Sequence, residues 1–331
     1  MRNMNKKKII IATGGTGGHI FPALSLAKNF VKNDYIVEII TDKRGLKYIG
    51  KQKNIKLILN ISATIFKKNI INLLFSVFVI FFSYVKSLVI LFRANPSVVF
   101  GMGGHASFPV CMAARTLNIP FIIYENNIQI GKSNKYLLPF AYKIFVSYQD
   151  LAGIKKKYDH KINVIGNIIR EEILNLKKNN QFTPGTLHIL VLGGSQGAKS
   201  FGNLLPKVFE QCKKENINIK LFQQCTESQT KKLSKIYKNL NFDFNLFNFT
   251  NNISKYFSKT ELAITRSGSS ITAELLNCNI PFISIPYPHA TDSHQEKNAN
   301  YFEKKGYSYS IKETEVDEKL FPLIKMFYND K

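Results

Sequence analysis

Twice in this chain a run of apolar residues breaks into glycines and then into a helical pattern: KIIIATGGTGGH at residues 8–19 and LHILVLGGSQGA at 187–198. An apolar run, a glycine turn and a helix start predict a strand whose exit leaves backbone N–H groups and the positive end of a helix dipole facing outward. Such a turn suits a phosphate or a carboxylate. Two copies about 180 residues apart predict a duplicated α/β architecture with a ligand cleft between its halves.

A chain of 331 residues is long enough for two domains with their own cores. Its formal net charge of +24 comes from 46 basic and 22 acidic residues, but only six of the basic ones are Arg, and they are scattered. Nucleic-acid binding would call for clustered Arg within a known module, and neither is present, so no nucleic-acid partner is expected. An anionic membrane surface, an anionic substrate or a plain lysine-rich surface each fit the charge. Cys111, Cys212, Cys225 and Cys278 are far apart with no C-x-x-C pair, which fits reduced cytosolic thiols and argues against a zinc site or a disulfide framework. The apolar run at 9–12 is too short for the core of a signal peptide, so a cytoplasmic location is expected.

In chain order, strands are expected at 8–12, 36–40, 55–59, 97–100, 120–124, 141–147 and 161–165, with Pro22 in the first turn of a helix ending near Val31 and TDKRG (41–45) as a polar loop. Residues 70–85 carry no charge and are flanked by Lys67, Lys68 and Lys86. Three readings stay open for them: a buried crossover helix, a surface helix dipping into an anionic leaflet, or a transmembrane segment. A charged, Asn-rich linker is expected at 169–186, between a domain at 1–168 and another at 187–331. The second half restarts at 187–192, with strands at 217–222, 242–249, 262–265 and 281–285, a helix at 269–276 and a Pro-containing helix at its end.

Four glycine turns, at 14–18, 101–104, 193–197 and 267–268, follow apolar strands and belong at the carboxyl edge of a parallel sheet, where open α/β sheets bind ligands. Neither GGTGGH nor GGSQGA ends in G-K-[ST] or has G-x-G-x-x-G in register, and the acid after the second strand is only loosely supplied by Asp42, which weakens both ATPase and dehydrogenase readings. His19 at the first exit is a candidate general base, a substrate contact or a structural histidine. Glu125, directly after a strand, is placed to bind sugar hydroxyls, to assist His19 or to cap the loop. His105, His289 and His294 lack metal-ligand spacing.

Seven blocks in order, GGTGGHIFP (14–22), GMGGHASFP (101–109), YENNIQIGKSNKYL (124–137), GNIIR (166–170), GGSQGA (193–198), TRSGSSITAE (265–274) and HATDSHQEKNA (289–299), resemble the MurG family. These are the peripheral-membrane glycosyltransferases that move N-acetylglucosamine from UDP-GlcNAc to lipid I, undecaprenyl-pyrophosphoryl-MurNAc-pentapeptide, in peptidoglycan synthesis. The resemblance implies a GT-B fold, two Rossmann-like parallel-sheet domains facing a cleft, with the lipid acceptor on the first and UDP-GlcNAc on the second. It implies catalytic roles for His19 and Glu125, with the acceptor diphosphate over Thr16, Gly17, Gly18 and His105. On the donor side it implies diphosphate contacts from Gly194, Ser195, Gln196 and Gly197 and uracil read near Phe249 and Thr250. Glu274 would hold the ribose, Gln295 and Asn127 the sugar, and Arg170 would stand near the nucleotide. Arg266, Ser267, Gly268, His294 and Asn298 complete the substrate-binding set.

No essential metal or other cofactor is implied. The expected location is the cytoplasmic face of the inner membrane, docked through Phe75, Phe78, Phe81 and Phe82, with other cell-wall synthesis or division proteins as partners. A different lipid acceptor, or a non-catalytic relative that binds UDP-sugar or lipid, is the alternative. Four positions depart from the family pattern: Tyr124 for His, His105 for Tyr, Ile168 for the Pro of a GNP turn, and Glu261 for Asp. The chain also stops where a further C-terminal helical segment is expected.

Overall fold

The computed structural model describes residues 6–62, 70–177, 182–250 and 252–330, apart from the side chains of 70–73, 195–198 and 291. The chain divides into two compact units, Met1–Arg170 and Glu171–Lys331.

The first unit runs β1 (Lys8–Ala12), α1 (Gly17–Lys32), β2 (Ile36–Thr41), α2 (Lys43–Ile49), β3 (Ile55–Leu59), α3 (Ile70–Ala94), β4 (Val98–Gly101), α4 (Ser107–Thr116), β5 (Phe121–Glu125), α5 (Lys132–Leu137), β6 (Lys143–Val146) and β7 (Ile162–Val164). Its seven strands are parallel in the order β3-β2-β1-β4-β5-β6-β7. Ile9, Ile10, Ile11 and Ala12 are buried, as a strand covered on both faces requires.

The second unit runs α6 (Glu171–Leu174), β8 (Leu187–Leu192), α7 (Gly194–Lys214), β9 (Ile219–Gln224), α8 (Glu227–Asn239), β10 (Asp243–Phe247), α9 (Ser254–Phe257), β11 (Leu262–Thr265), α10 (Ser269–Asn277), β12 (Phe282–Ser284), α11 (His294–Lys304), β13 (Ser308–Ser310) and α12 (Val316–Asn329). Its strands lie in the order β10-β9-β8-β11-β12-β13, also parallel. In each sheet the chain order reverses beside the first strand, between β1 and β4 and between β8 and β11. All four glycine turns follow those strands at their carboxyl ends, at the switch point where such sheets bind ligands.

Local chemistry moves several sequence-based boundaries. TDKRG is a helix start: Asp42 is the N-cap of α2 and its Oδ1 accepts from the Gly45 N–H at 2.8 Å. Pro22 lies inside α1, beyond its first turn. A Pro there cannot donate to the carbonyl four residues back, that of Gly18, and the Asn126 amide donates to that oxygen instead, at 2.9 Å. β13 was not among the expected strands; its three residues pair with β12 and its sequence, SYS, carries no apolar alternation.

α3 also continues past Lys86, to Ala94, before Pro96 stops it. Its polarity is inverted. Ser76, Ser83, Ser87 and Leu91 are buried, whereas Phe75, Phe78, Phe81, Phe82 and Phe92 are exposed, Phe92 at 77%. The serine face is held: Asn60 Nδ2 donates to the Ser83 carbonyl and to Ser87 Oγ at 3.2 and 2.9 Å, and Tyr84 and Thr116 share a hydroxyl bond at 2.8 Å where α3 packs on α4. Of the three readings of this segment, the fully buried helix is thereby removed. By length and composition Leu74–Ala94, with mean hydropathy 2.3, could cross a membrane. Its serine face, however, belongs to the layer that covers the sheet.

Candidate functional site

In the first unit the two glycine turns touch. Gly14 lies against Ala106, where a Cβ would come within 2.5 Å of the Ala106 Cβ, and the His19 ring lies over Gly103 and Gly104. Gly103 has φ +84°, and a Cβ there would stand 2.9 Å from His19 Nδ1, so both backbone conformation and space require glycine. His19, in the first turn of α1, is thus wedged half-buried between the turns, with its carbonyl accepting from Thr13 Oγ1 at 3.1 Å. Thr16 is the exposed N-cap of α1 and makes no side-chain cap bond, while Gly17 and Gly18 open the helix.

His105 sits at the exit of the second turn. Burial, then the positive charge of Arg44, lower its pKa against the opposing pull of Asp42, so the ring is neutral at pH 7.

Glu125, a candidate partner of His19 or a loop cap, is engaged locally. It is 3% exposed, and its oxygens accept from the Asn127 N–H (3.1 Å), Asn127 Nδ2 (2.9 Å), the Gly131 N–H (2.8 Å) and Asn134 Nδ2 (3.0 Å). Four donors saturate the carboxylate and make it the anchor of loop 126–131. Asn127 is correspondingly engaged in that anchor. Arg170 is buried with its guanidinium 4.6 Å from the Phe21 ring centre, on α1 of its own unit.

Tyr124 and Ile168, two of the departures from the family pattern, act together. The Tyr124 hydroxyl accepts from the Ile168 N–H at 3.0 Å and pairs with Ser147 Oγ at 2.9 Å. A proline at 168 would have no N–H to offer. Burial pushes the phenol's pKa up, so it stays a neutral donor and acceptor.

In the second unit the turn after β8 begins with Gly194 at φ +66°, a conformation that favours glycine. Its N–H donates to Gln224 Oε1 at 3.0 Å, and Gln224 Nε2 donates to the Asn248 carbonyl at 3.1 Å. Gln224 therefore ties the glycine turn to the segment carrying Phe249 and Thr250. Phe249 is exposed at 45%, and Thr250 Oγ1 accepts from the Asn252 N–H at 3.0 Å. Ser195, Gln196 and Gly197 open α7, and their side chains lie outside the described residues.

Arg266, expected as a substrate contact, is engaged within its own unit. It is 4% exposed, donates to the Ile285 and Pro286 carbonyls, pairs with Glu313 at 2.5 Å and lies 4.3 Å from the Phe201 ring centre. Glu313 also accepts from Ser200 Oγ at 2.7 Å, which fixes α7. Asn298 likewise is buried, its Nδ2 donating to the Ser267 carbonyl, and Ser267 itself is fully buried. Both hold the turn before α10, where Gly268 is the N-cap. Glu274 is buried on α10, Gln295 Oε1 accepts from the Tyr287 N–H at 2.9 Å, and His294 starts α11 half-buried.

Sequence reading missed Asn126, Gln224 and the local role of Asp42. The signals were a proline four residues after Gly18, and an Asp three residues before a helical Gly. Among the described residues no group of three or more His, Cys, Asp or Glu is placed to hold a metal ion.

Comparison with known proteins accords with this arrangement. The N-terminal domain of glycosyltransferase family 28 matches residues 9–146 and its C-terminal domain matches 188–331. A UDP-N-acetylglucosamine–N-acetylmuramyl-(pentapeptide) pyrophosphoryl-undecaprenol N-acetylglucosamine transferase of Pelagibacter ubique is 35% identical over 318 residues, covering 95% of this chain and 86% of its own length. The transferase of the same name from Rickettsia bellii is 34% identical over 328 residues, covering 96% and 91%. The crystal structure of Acinetobacter baumannii MurG superposes with a TM-score of 0.74 at 23% identity, over 98% of this chain and 91% of that one, and shows the shared GT-B fold.

Proposed function

The chain belongs to the MurG family of N-acetylglucosamine transferases within glycosyltransferase family 28, and from that premise we propose that it transfers N-acetylglucosamine from UDP-GlcNAc to the C4 hydroxyl of the MurNAc of lipid I, giving lipid II and UDP. The observation that carries the reading is the pair of glycine turns at the switch point of the first sheet, with His19 wedged between them. The first unit binds the acceptor diphosphate there. The second binds the donor, with Gly194 and the start of α7 at its diphosphate, residues near Phe249 at uracil, Glu274 at the ribose and Gln295 at the sugar.

The acceptor oxygen attacks the anomeric carbon, the bond from that carbon to UDP breaks, and the configuration inverts. His19 takes the proton of the C4 hydroxyl. Charge developing on UDP is stabilised by the amides at the start of α7, a role that calls for no divalent ion. The enzyme sits peripherally on the cytoplasmic face of the membrane, held by the exposed phenyl face of α3 and by surface lysines.

Labelled UDP-GlcNAc and a lipid I analogue, with chelator present, test this. Transfer by the wild type and its severe loss in His19→Ala and Glu274→Ala are expected. No transfer by the wild type to that acceptor refutes the reading, and full activity of His19→Ala removes it as base.

A further inference from the structure

Asp42 does more than cap α2. It is 3% exposed, and beyond Gly45 its Oδ1 accepts from the Gly15 N–H (3.1 Å) while Oδ2 accepts from Ser62 Oγ (2.7 Å) and from Arg44 Nε and Nη2 (3.1 and 2.9 Å). Burial alone would raise its pKa; the bonds from Ser62, Gly45, Gly15 and Arg44 outweigh that and hold it below the usual carboxylate range. One buried anion therefore fixes the first glycine turn and the direction of an arginine at once.

Arg44 stays outside: its side chain is 58% exposed, and Nη2 is 3.9 Å from where a Cβ would stand on Gly15. Asp42 takes one N–H each from Nε and Nη2, which leaves three of the five guanidinium N–H bonds uncommitted to it on a side chain that is mostly exposed. Arg44 and Lys132 both act electrostatically on His105, at the neighbouring turn. Positive charge thus converges on the two turns, while the acid closest to them is already bonded. A planar cation with N–H bonds to spare, next to glycine amides, suits a phosphoanhydride.

We infer that the Arg44 guanidinium, aimed by the buried Asp42, binds the diphosphate of a polyprenyl-linked acceptor at the first glycine turn. Arg44 is the ligand-binding group and Asp42 its positioning residue. The inference rests on reading the first unit as the acceptor side, and it adds a side chain to a site otherwise described by backbone and histidines.

The test uses the full chain with Arg44→Ala, Arg44→Gln, Arg44→Lys and Asp42→Asn. Calorimetry reads binding of farnesyl diphosphate and, separately, of UDP; kinetics read KM and kcat for the lipid I analogue. A charge-assisted bond of this kind is worth about tenfold to a hundredfold in affinity. Arg44→Ala and Arg44→Gln are expected to weaken farnesyl diphosphate binding and raise acceptor KM by about that factor, with UDP affinity within about twofold of wild type. Arg44→Lys should recover part of the loss, because it restores the charge and not the fork. Asp42→Asn should raise acceptor KM with UDP affinity unchanged, a split that general destabilisation would not produce.

Loss of UDP binding with farnesyl diphosphate binding intact would assign Arg44 to the nucleotide and overturn the inference. Unchanged binding of both in Arg44→Gln, or no farnesyl diphosphate binding by the wild type, would also overturn it. Farnesyl diphosphate binding is read without turnover, so a wild type that binds it through Arg44 yet does not glycosylate lipid I would refute the proposed reaction alone.

Discussion

The Tyr124–Ile168 pair offers a direct test of whether two departures from the family pattern are one structural event. Tyr124→Phe removes the acceptor of the Ile168 N–H and the partner of Ser147 Oγ, at a site 3% exposed on the tyrosine side and half-buried on the isoleucine side. Two lost bonds at about 1 kcal/mol each give a destabilisation of about 2 kcal/mol. For a unit of this size that is a fall of about 4–8 °C in its melting temperature. Ile168→Pro removes the donor and should cost about 1 kcal/mol in the wild type. In the Tyr124→Phe background there is no acceptor left to lose, and removing the stranded N–H should cost almost nothing. The coupling in a double-mutant cycle is then about 1 kcal/mol. Urea unfolding followed by far-UV circular dichroism is the suitable assay, because the chain has no Trp, with the first unit's transition fitted on its own. Additive costs would refute the argument, as would a neutral Tyr124→Phe.

Two further outcomes follow from the same geometry. Phe78 and Phe82, whose ring centres lie 4.7 Å apart on the outer face of α3, each expose roughly 100 Å² of apolar surface, up to about 2.5 kcal/mol each on insertion. Phe78→Ser with Phe82→Ser should lower partition to phosphatidylglycerol-containing vesicles at least tenfold in a flotation assay while leaving the melting temperature within about 2 °C; undiminished binding would refute the membrane role, and a collapsed melting temperature would show a packing role. His105, whose folded pKa lies below its unfolded value of about 6.5, binds fewer protons in the folded state just under that pH, so stability should fall as pH drops through about 6.5 and level off below the folded pKa. His105→Gln should flatten that part of the stability-versus-pH curve, and an unchanged slope would contradict the assignment.

The parallel sheets were legible because β1 and β8 are continuous apolar runs that end in glycine, a pattern that fixes strand, exit and helix start together. The same pattern placed the turns at the carboxyl edge of a sheet; that this edge is the switch point follows only from the strand order. Side-chain roles were less legible. Glu125, at a strand exit, and Arg266, beside a glycine turn, both read as chemistry because charge at a sheet edge suggests a ligand, yet Glu125 is bonded by the loop and helix that follow it, through Asn127, Gly131 and Asn134, and Arg266 pairs with Glu313, 47 residues on. The outward phenyl face of α3 was only partly legible. Periodicity shows which residues share a face, but here the serines 76, 83 and 87 form the inner one, against the usual rule, where α3 packs on α4 and Asn60 bonds the Ser87 hydroxyl and the Ser83 carbonyl.

A physical constraint connects these displaced roles. A diphosphate bound at a glycine turn would be repelled by any bare carboxylate about 5 Å away, by roughly 3 kcal/mol per charge pair at an effective dielectric near 20. Parallel sheets whose strands end in polar turns nevertheless place acids at that edge, here Asp42 after β2 and Glu125 at the end of β5. The structure resolves the conflict by turning each acid inward onto N–H donors: Asp42 onto Gly15, Gly45 and Arg44, and Glu125 onto Asn127, Gly131 and Asn134. Each carboxylate then aligns amides and loses reach toward a ligand, while Arg44 keeps its outer face in solvent. Acids near these turns accordingly act as tethers of the surrounding loops, and the proposed base role of His19, half-buried between the two turns, calls on neither of them.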